Sequence, residues 1–205
     1  MLRILVPALV LLVAAILLLP RHVQMQPPEA ATVLPEDLAL PDVELVDTAG
    51  RSFSLAELDD YGLLFFGYTN CPDICPLTMQ TLASAEKNLR DQAPNLVPRV
   101  MFVSIDPHRD TLEKIASYVR VFDPSFSGFT ADEETIAPLL AALGVTVHKT
   151  ETDGGAYNVV HNGTVFVIAP GSKLIALFGG SSHEASTIAS DFLRIRRQHQ
   201  TRTRR

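Results

Sequence analysis

Leu63 to Tyr68 carries no charge and alternates little, as a strand covered on both faces must, and it leads straight into the chain's only two cysteines. The order is apolar strand, then Cys71-Pro72-Asp73-Ile74-Cys75-Pro76, then a stretch from Leu77 to Leu89 that reads as a helix. Such a turn sets thiols at a helix N-terminus, where unpaired N–H groups and the helix dipole favour an anionic sulfur. Three residues separate the two cysteines, against two in the usual thioredoxin-like redox pair. Pro72 and Pro76 stiffen the turn and remove donors from it. Spacing alone leaves open a redox dithiol, a thiolate pair for a metal, a static disulfide, or two unrelated core thiols. Two cysteines cannot build a disulfide scaffold, so their pairing in one turn asks for chemistry. Two sulfurs suit Cu(I), and Zn or Cu(II) if nitrogen ligands join them.

A second uncharged strand, Val100 to Ile105, ends in Asp106-Pro107. Around these two strands the pattern predicts a hairpin (Val43 to Val46 with Arg51 to Ser54) and a capping box at Ser54-Leu55-Ala56-Glu57. It also predicts a helix capped by Thr111 and running to Phe122, and a second helix over Ile136 to Leu143 with its box at Thr130 to Glu133. Gly144 is placed to stop that helix, and Pro138 marks a kink inside it. Val145 to His148 reads as a short strand, and Thr164 to Ile168 with Leu174 to Phe178 as a closing hairpin. A last helix runs from Ser181 to about Arg197. Together these elements predict an α/β fold, a mixed central sheet with flanking helices, which by fold analogy looks thioredoxin-like.

Ile4 to Leu19 holds no charged or polar side chain, with Arg3 before it and Arg21 after it. As a helix this run rises about 24 Å, near the short end of what crosses a ~30 Å hydrocarbon core. No small-residue cleavage site follows closely, so a single N-terminal transmembrane helix is expected in preference to a cleaved signal. The expected organisation is an anchor over 1–20, a linker over 21–37 rich in Pro, Ala and Glu, a domain over 38–197, and a basic tail over 198–205. Charge is polarised: six arginines lie in the last twelve residues, and the remaining body has 11 basic against 23 acidic side chains. A body so acidic repels nucleic acid, which is excluded as the main partner.

Of six histidines, His22 and His199 are expected to be solvated at the two ends, and His108, His148 and His183 are weak candidates. His161 differs. The segment Asn158 to Gly163 precedes a strand, in the kind of loop that faces the cysteine turn in such a fold. Asp106, at the end of a central strand, could support a ligand or simply cap its turn with Pro107.

Gly67 to Pro76, Val103-Ser104-Ile105-Asp106-Pro107-His108-Arg109-Asp110-Thr111 and Tyr157 to Ile168, in that order, resemble the SCO/SenC family of copper-binding assembly proteins. The resemblance spans residues 40 to 195 or so. It implies a thioredoxin-like domain tethered to the inner (cytoplasmic) membrane by one N-terminal helix, with the soluble domain on the extracytoplasmic side. It implies a metallochaperone rather than an enzyme, holding copper, as Cu(I) or Cu(II), for the dinuclear copper centre of cytochrome c oxidase. The ligands it implies are Cys71, Cys75 and His161, with Asp106 nearby, and the partner is the copper-accepting oxidase subunit. Many members carry Asp-His at the ligand histidine, where this chain has Val160-His161, so that support for the ligand is missing. A rival role is thiol–disulfide exchange, in which Cys71 attacks an acceptor disulfide, Cys75 resolves it, and a thiol reductant becomes a further partner. Peroxide reduction does not explain a distant histidine.

Overall fold

The computed structural model describes residues 27–151, 157–160, 163–180 and 183–204. Eight strands form one mixed sheet in the order β1-β10-β9-β4-β5-β6-β2-β3. In chain order they are β1 (Thr32–Ala39), β2 (Leu45–Asp47), β3 (Ser52–Phe53), β4 (Gly62–Gly67), β5 (Arg99–Ser104), β6 (Ser127–Thr130), β9 (Val165–Ala169) and β10 (Lys173–Phe178). A separate hairpin pairs β7 (His148–Glu151) with β8 (Tyr157–Val160). The helices are α1 (Ile74–Gln92), α2 (Leu112–Phe122), α3 (Glu133–Ala142) and α4 (Ala185–Thr203).

The two uncharged runs are the middle of this sheet. β4 and β5 pair in parallel from Gly62↔Arg99 to Gly67↔Ser104, and every residue of β4 is buried. Leu64, Phe65, Phe66, Met101 and Phe102 form the core with Met79 and Leu82 of α1 and Phe192 of α4. Burying each large side chain of this kind contributes about 1.5–3 kcal/mol, which is why the periodicity of these strands outweighs any local propensity.

The mixed sheet with flanking helices is as expected, but the expected transmembrane helix is corrected. Among the described residues no helix is long and apolar enough to cross a membrane. The longest, α1 and α4 at 19 residues each, have the length but carry Glu86, Lys87, Arg90 and Asp91 in one and Asp191 with four arginines in the other. The run 1–20 lies outside the described residues. Over the described residues the fold is the mixed sheet with its flanking helices, and nothing in them supports the membrane partner or the single-pass location.

Local boundaries moved for identifiable reasons. The Ser54 box is present, its hydroxyl accepting from Ala56 N–H while Glu57 accepts from Ser54 N–H. α3 is capped by Asp132, not Thr130, because the Asp132 carboxylate takes the Thr135 N–H at 2.8 Å. The short strand expected over 145–148 begins only at His148.

The N-terminal stretch and the arginine-rich end hold one another. β1 pairs with β10, and the N–H groups of Glu29, Ala30 and Ala31 all donate to the fully buried Asp191 of α4 at 2.7–3.1 Å. α4 continues through the arginines to Thr203, where Arg202 donates to the Leu34 and Pro35 carbonyls and to Asp37. His199, expected to be solvated, is instead 9% exposed: Nε2 meets Asp37 at 3.1 Å and Nδ1 meets the Tyr61 hydroxyl at 2.7 Å.

Asp191→Ala would strand three backbone donors and Arg194. We expect a loss of about 2–4 kcal/mol, read as a lower urea midpoint at unchanged slope. An unchanged midpoint would show that the grip on residues 29–31 adds nothing to the fold.

Candidate functional site

The cysteine turn leaves the end of β4, and α1 starts earlier than the sequence suggests, at Ile74. Pro76 is tolerated because it sits in the first helical turn, where N–H groups have no partner within the helix. Cys75 is thus part of α1 and fully buried, while Cys71 lies just ahead of it and is partly exposed. The Asp73 side chain makes no capping bond; the Cys71 Sγ does, accepting the Cys75 N–H at 3.4 Å. No disulfide joins the two cysteines. The neighbouring Cys71 sulfur and then burial push the Cys75 thiol well above its ordinary range, opposed by the backbone N–H of Tyr68.

Gly67 makes room for that sulfur. A Cβ there would stand 3.0 Å from Cys75 Sγ and 2.7 Å from the Phe102 ring. The Tyr118 hydroxyl of α2 is held protonated, first by burial and then by its nearness to the ionisable groups Cys75, Cys71 and Asp110.

The loop after β5 lies beside this turn because β4 and β5 are parallel. Asp106 is fully buried and its carboxylate takes the Arg109 Nε–H; the Arg109 guanidinium stands 5.7 Å from the centre of the Tyr68 ring. Asp106 therefore reaches the cysteine turn through Arg109 and Tyr68. Asp110, 2% exposed, reaches it directly: its carboxylate accepts the Thr69 N–H at 2.9 Å, the Thr69 hydroxyl at 2.5 Å and the Ser104 hydroxyl at 2.6 Å. Sequence reasoning singled out Asp106 and passed over Asp110, Thr69 and Ser104. The available signal was a second acid four residues after the first, in a turn closed by the Arg109 and Asp110 N–H groups on the Asp106 carbonyl.

Cys71 and Cys75 are brought together as expected. His161 lies outside the described residues, directly after β8 in sequence, as does His22. His108 is exposed against Glu133 at 3.4 Å, His148 opens β7, and His183 meets the Gly179 carbonyl at 2.8 Å. Among the described residues no group of three or more His, Cys, Asp or Glu side chains is arranged to hold a metal. The donor chemistry at this turn is two soft sulfurs, one reachable and one buried, at the positive end of a helix.

A family model described as SCO1/SenC matches residues 34–196. The human mitochondrial SCO1 homologue is 32% identical over 146 residues, covering 70% of this chain and 48% of its own length, so the chain spans about half of that relative. Copper-bound ScoI from Arabidopsis thaliana superposes with a TM-score of 0.73 at 26% identity, over 78% of this chain and 99% of that one. Apo Sco1 from Thermus thermophilus gives a TM-score of 0.70 at 32% identity, over 80% and 95%.

Replacing Gly67 by Ala should force Phe102 or the Cys75 sulfur to move. Overpacking of this kind costs about 1–3 kcal/mol, measurable by chemical denaturation of the reduced protein. Wild-type stability in the variant would mean that the strand yields without cost.

Proposed function

The chain belongs to the SCO1/SenC family, and from that premise we propose that it is a copper-binding chaperone whose cargo is held by Cys71 and Cys75. The observation that carries this is the pair of thiol side chains brought together at the start of α1, one buried in the core and one partly exposed. Soft thiolates select Cu(I), and a nitrogen donor extends the set to Cu(II). His161 is the third ligand in this proposal, supported by its place immediately after β8 in the sequence, while the copper-bound Arabidopsis relative supports copper as the cargo. Asp106 supports the site at one remove, through Arg109 and Tyr68. The acceptor is the copper-accepting subunit of cytochrome c oxidase.

The protein's own groups suggest how cargo is passed. Cys71 is the accessible sulfur, so an incoming thiolate meets copper from that side. Cys75, fixed in the helix and walled by Gly67 and Phe102, is the sulfur that lets go last. The helix N-terminus stabilises both sulfurs as anions once copper displaces their protons. Disulfide exchange with an acceptor would start from the same reduced thiols, and no observation favours it over copper exchange.

Copper titration of the full-length reduced protein tests the proposal, with both Cu(I) and Cu(II). We expect one equivalent bound by the wild type and at least tenfold weaker binding by His161→Ala, with unchanged circular dichroism. Equal affinity in the two proteins would remove His161 from the ligand set, and no tight equivalent in the wild type would remove the chaperone role.

A further inference from the structure

We propose that Asp110 is a positioning residue for the copper exchange proposed above, on which this inference rests, and that it acts by holding Thr69 and so fixing the shape of the cysteine turn. Every part of its carboxylate is engaged. Oδ1 accepts the Thr69 hydroxyl at 2.5 Å, and Oδ2 accepts both the Thr69 N–H at 2.9 Å and the Ser104 hydroxyl at 2.6 Å. Ser104 is the last residue of β5 and itself wholly buried, so the carboxylate is referenced to the rigid middle of the sheet. On the other side the Asp110 N–H is fixed to the Asp106 carbonyl at 3.0 Å.

Thr69 stands two residues before Cys71, and the Cys71 N–H bonds to the Tyr68 carbonyl at 3.2 Å. The four residues that enter the turn are thereby tied to β5 as well as to β4. With both oxygens occupied and 2% exposure, Asp110 is placed to orient and not to ligate. Its donors are all neutral, so no cation takes part in this set of bonds. That charge also bears on Cys75 and on Tyr118, as a minor contribution beside sulfur contact and burial. Bond geometry and charge therefore make separable predictions.

Asn has the same shape and keeps an oxygen for the Thr69 N–H and Ser104, while its amide can donate to the Thr69 hydroxyl. Asp110→Asn thus retains the bonds and loses the charge; Asp110→Ala loses both. Thr69→Val removes one bond and leaves the acid intact. Two readouts apply to the full-length protein: Cu(I) affinity by competition with a chromophoric chelator, and the thiol–disulfide equilibrium of Cys71 and Cys75 against glutathione without metal.

Loss of groups that orient a ligand typically weakens metal binding about 10–100-fold. We expect that loss for Asp110→Ala, with at least a fivefold change in the glutathione equilibrium. Asp110→Asn should stay within threefold of wild type in both readouts, and Thr69→Val should fall between. Wild-type behaviour of Asp110→Ala, or of Thr69→Val should the alanine variant not fold, overturns the proposal. So does an Asp110→Asn variant that falls as far as Asp110→Ala, since charge would then be the active property. If the wild type binds no copper, the chaperone reading fails, while the glutathione readout still decides the role of Asp110.

Discussion

Gly67 and Ser104 lie side by side because β4 and β5 run parallel and in register. That pairing places the two loops that follow these residues at one end of the sheet. In an antiparallel pair of six-residue strands the same loops would stand about 20 Å apart. The cysteine turn and the acid-bearing loop could not then share a hydrogen bond. Everything assigned to the site depends on this one pairing: the reach of Asp110 to Thr69, the approach of Arg109 to Tyr68, and the contact of Cys75 with the face of β4 beside Gly67. α1 follows from the same edge, so its positive end meets the sulfurs without a further device.

Three of the four buried carboxylates among the described residues organise the domain, and each is satisfied differently. Removing a carboxylate from water is costly unless its oxygens are bonded, so full engagement is a condition for each. Asp106 is matched by a cation, Arg109. Asp110 is matched by one amide and two hydroxyls. Asp191 is matched by three consecutive backbone amides and Arg194. The first two serve the edge that carries the cysteines, while the third closes the opposite business of joining the chain's beginning to its last helix. Removing any one partner leaves a charge in the core, which makes these contacts specific in a way that the apolar packing around them is not.

The central strands, the first hairpin and the closing β9–β10 hairpin were legible because an uncharged or bounded apolar run has few other ways to bury itself. β1 was not. Pro35, Glu36 and Asp37 give it the composition of a tether, and what makes it a strand is β10 beside it and α4 against it, neither visible locally. Pro35 is accommodated because β1 is an edge strand with an irregular register between Val33 and Leu38. β6 was missed for a related reason: Gly128 weakens its pattern, yet a Cβ there would stand 2.5 Å from Ile115, so the glycine serves the packing of α2. Asp132 displaced Thr130 as a cap, a choice that two adjacent capping types leave to the tertiary fold. At the site, the cysteines were readable from spacing, whereas Asp110 was hidden among polar residues whose partners lie 6 and 41 positions away. Residues 198–205 were read as a basic tail because Asp37, the partner of Arg202, lies 165 positions away in the sequence.

The grip of Asp191 on residues 29–31 also sets where the folding unit begins. Cutting the chain after Asp37, where composition suggests the linker ends, would delete the three amides and leave a wholly buried carboxylate facing Arg194 alone. It would also remove the strand residues Thr32 and Val33, which pair with Leu177 and Ala176. Seen mechanically, tension entering the domain through Pro27 loads this cluster of short bonds before it reaches the ladder between β1 and β10. Thr32 pairs with Leu177, and Val165 with both Phe178 and Phe65, so β1 enters the sheet at the same end as the cysteine turn. A pull from the N-terminal side is met there by helix and edge strand, with β10 and β9 standing between them and β4.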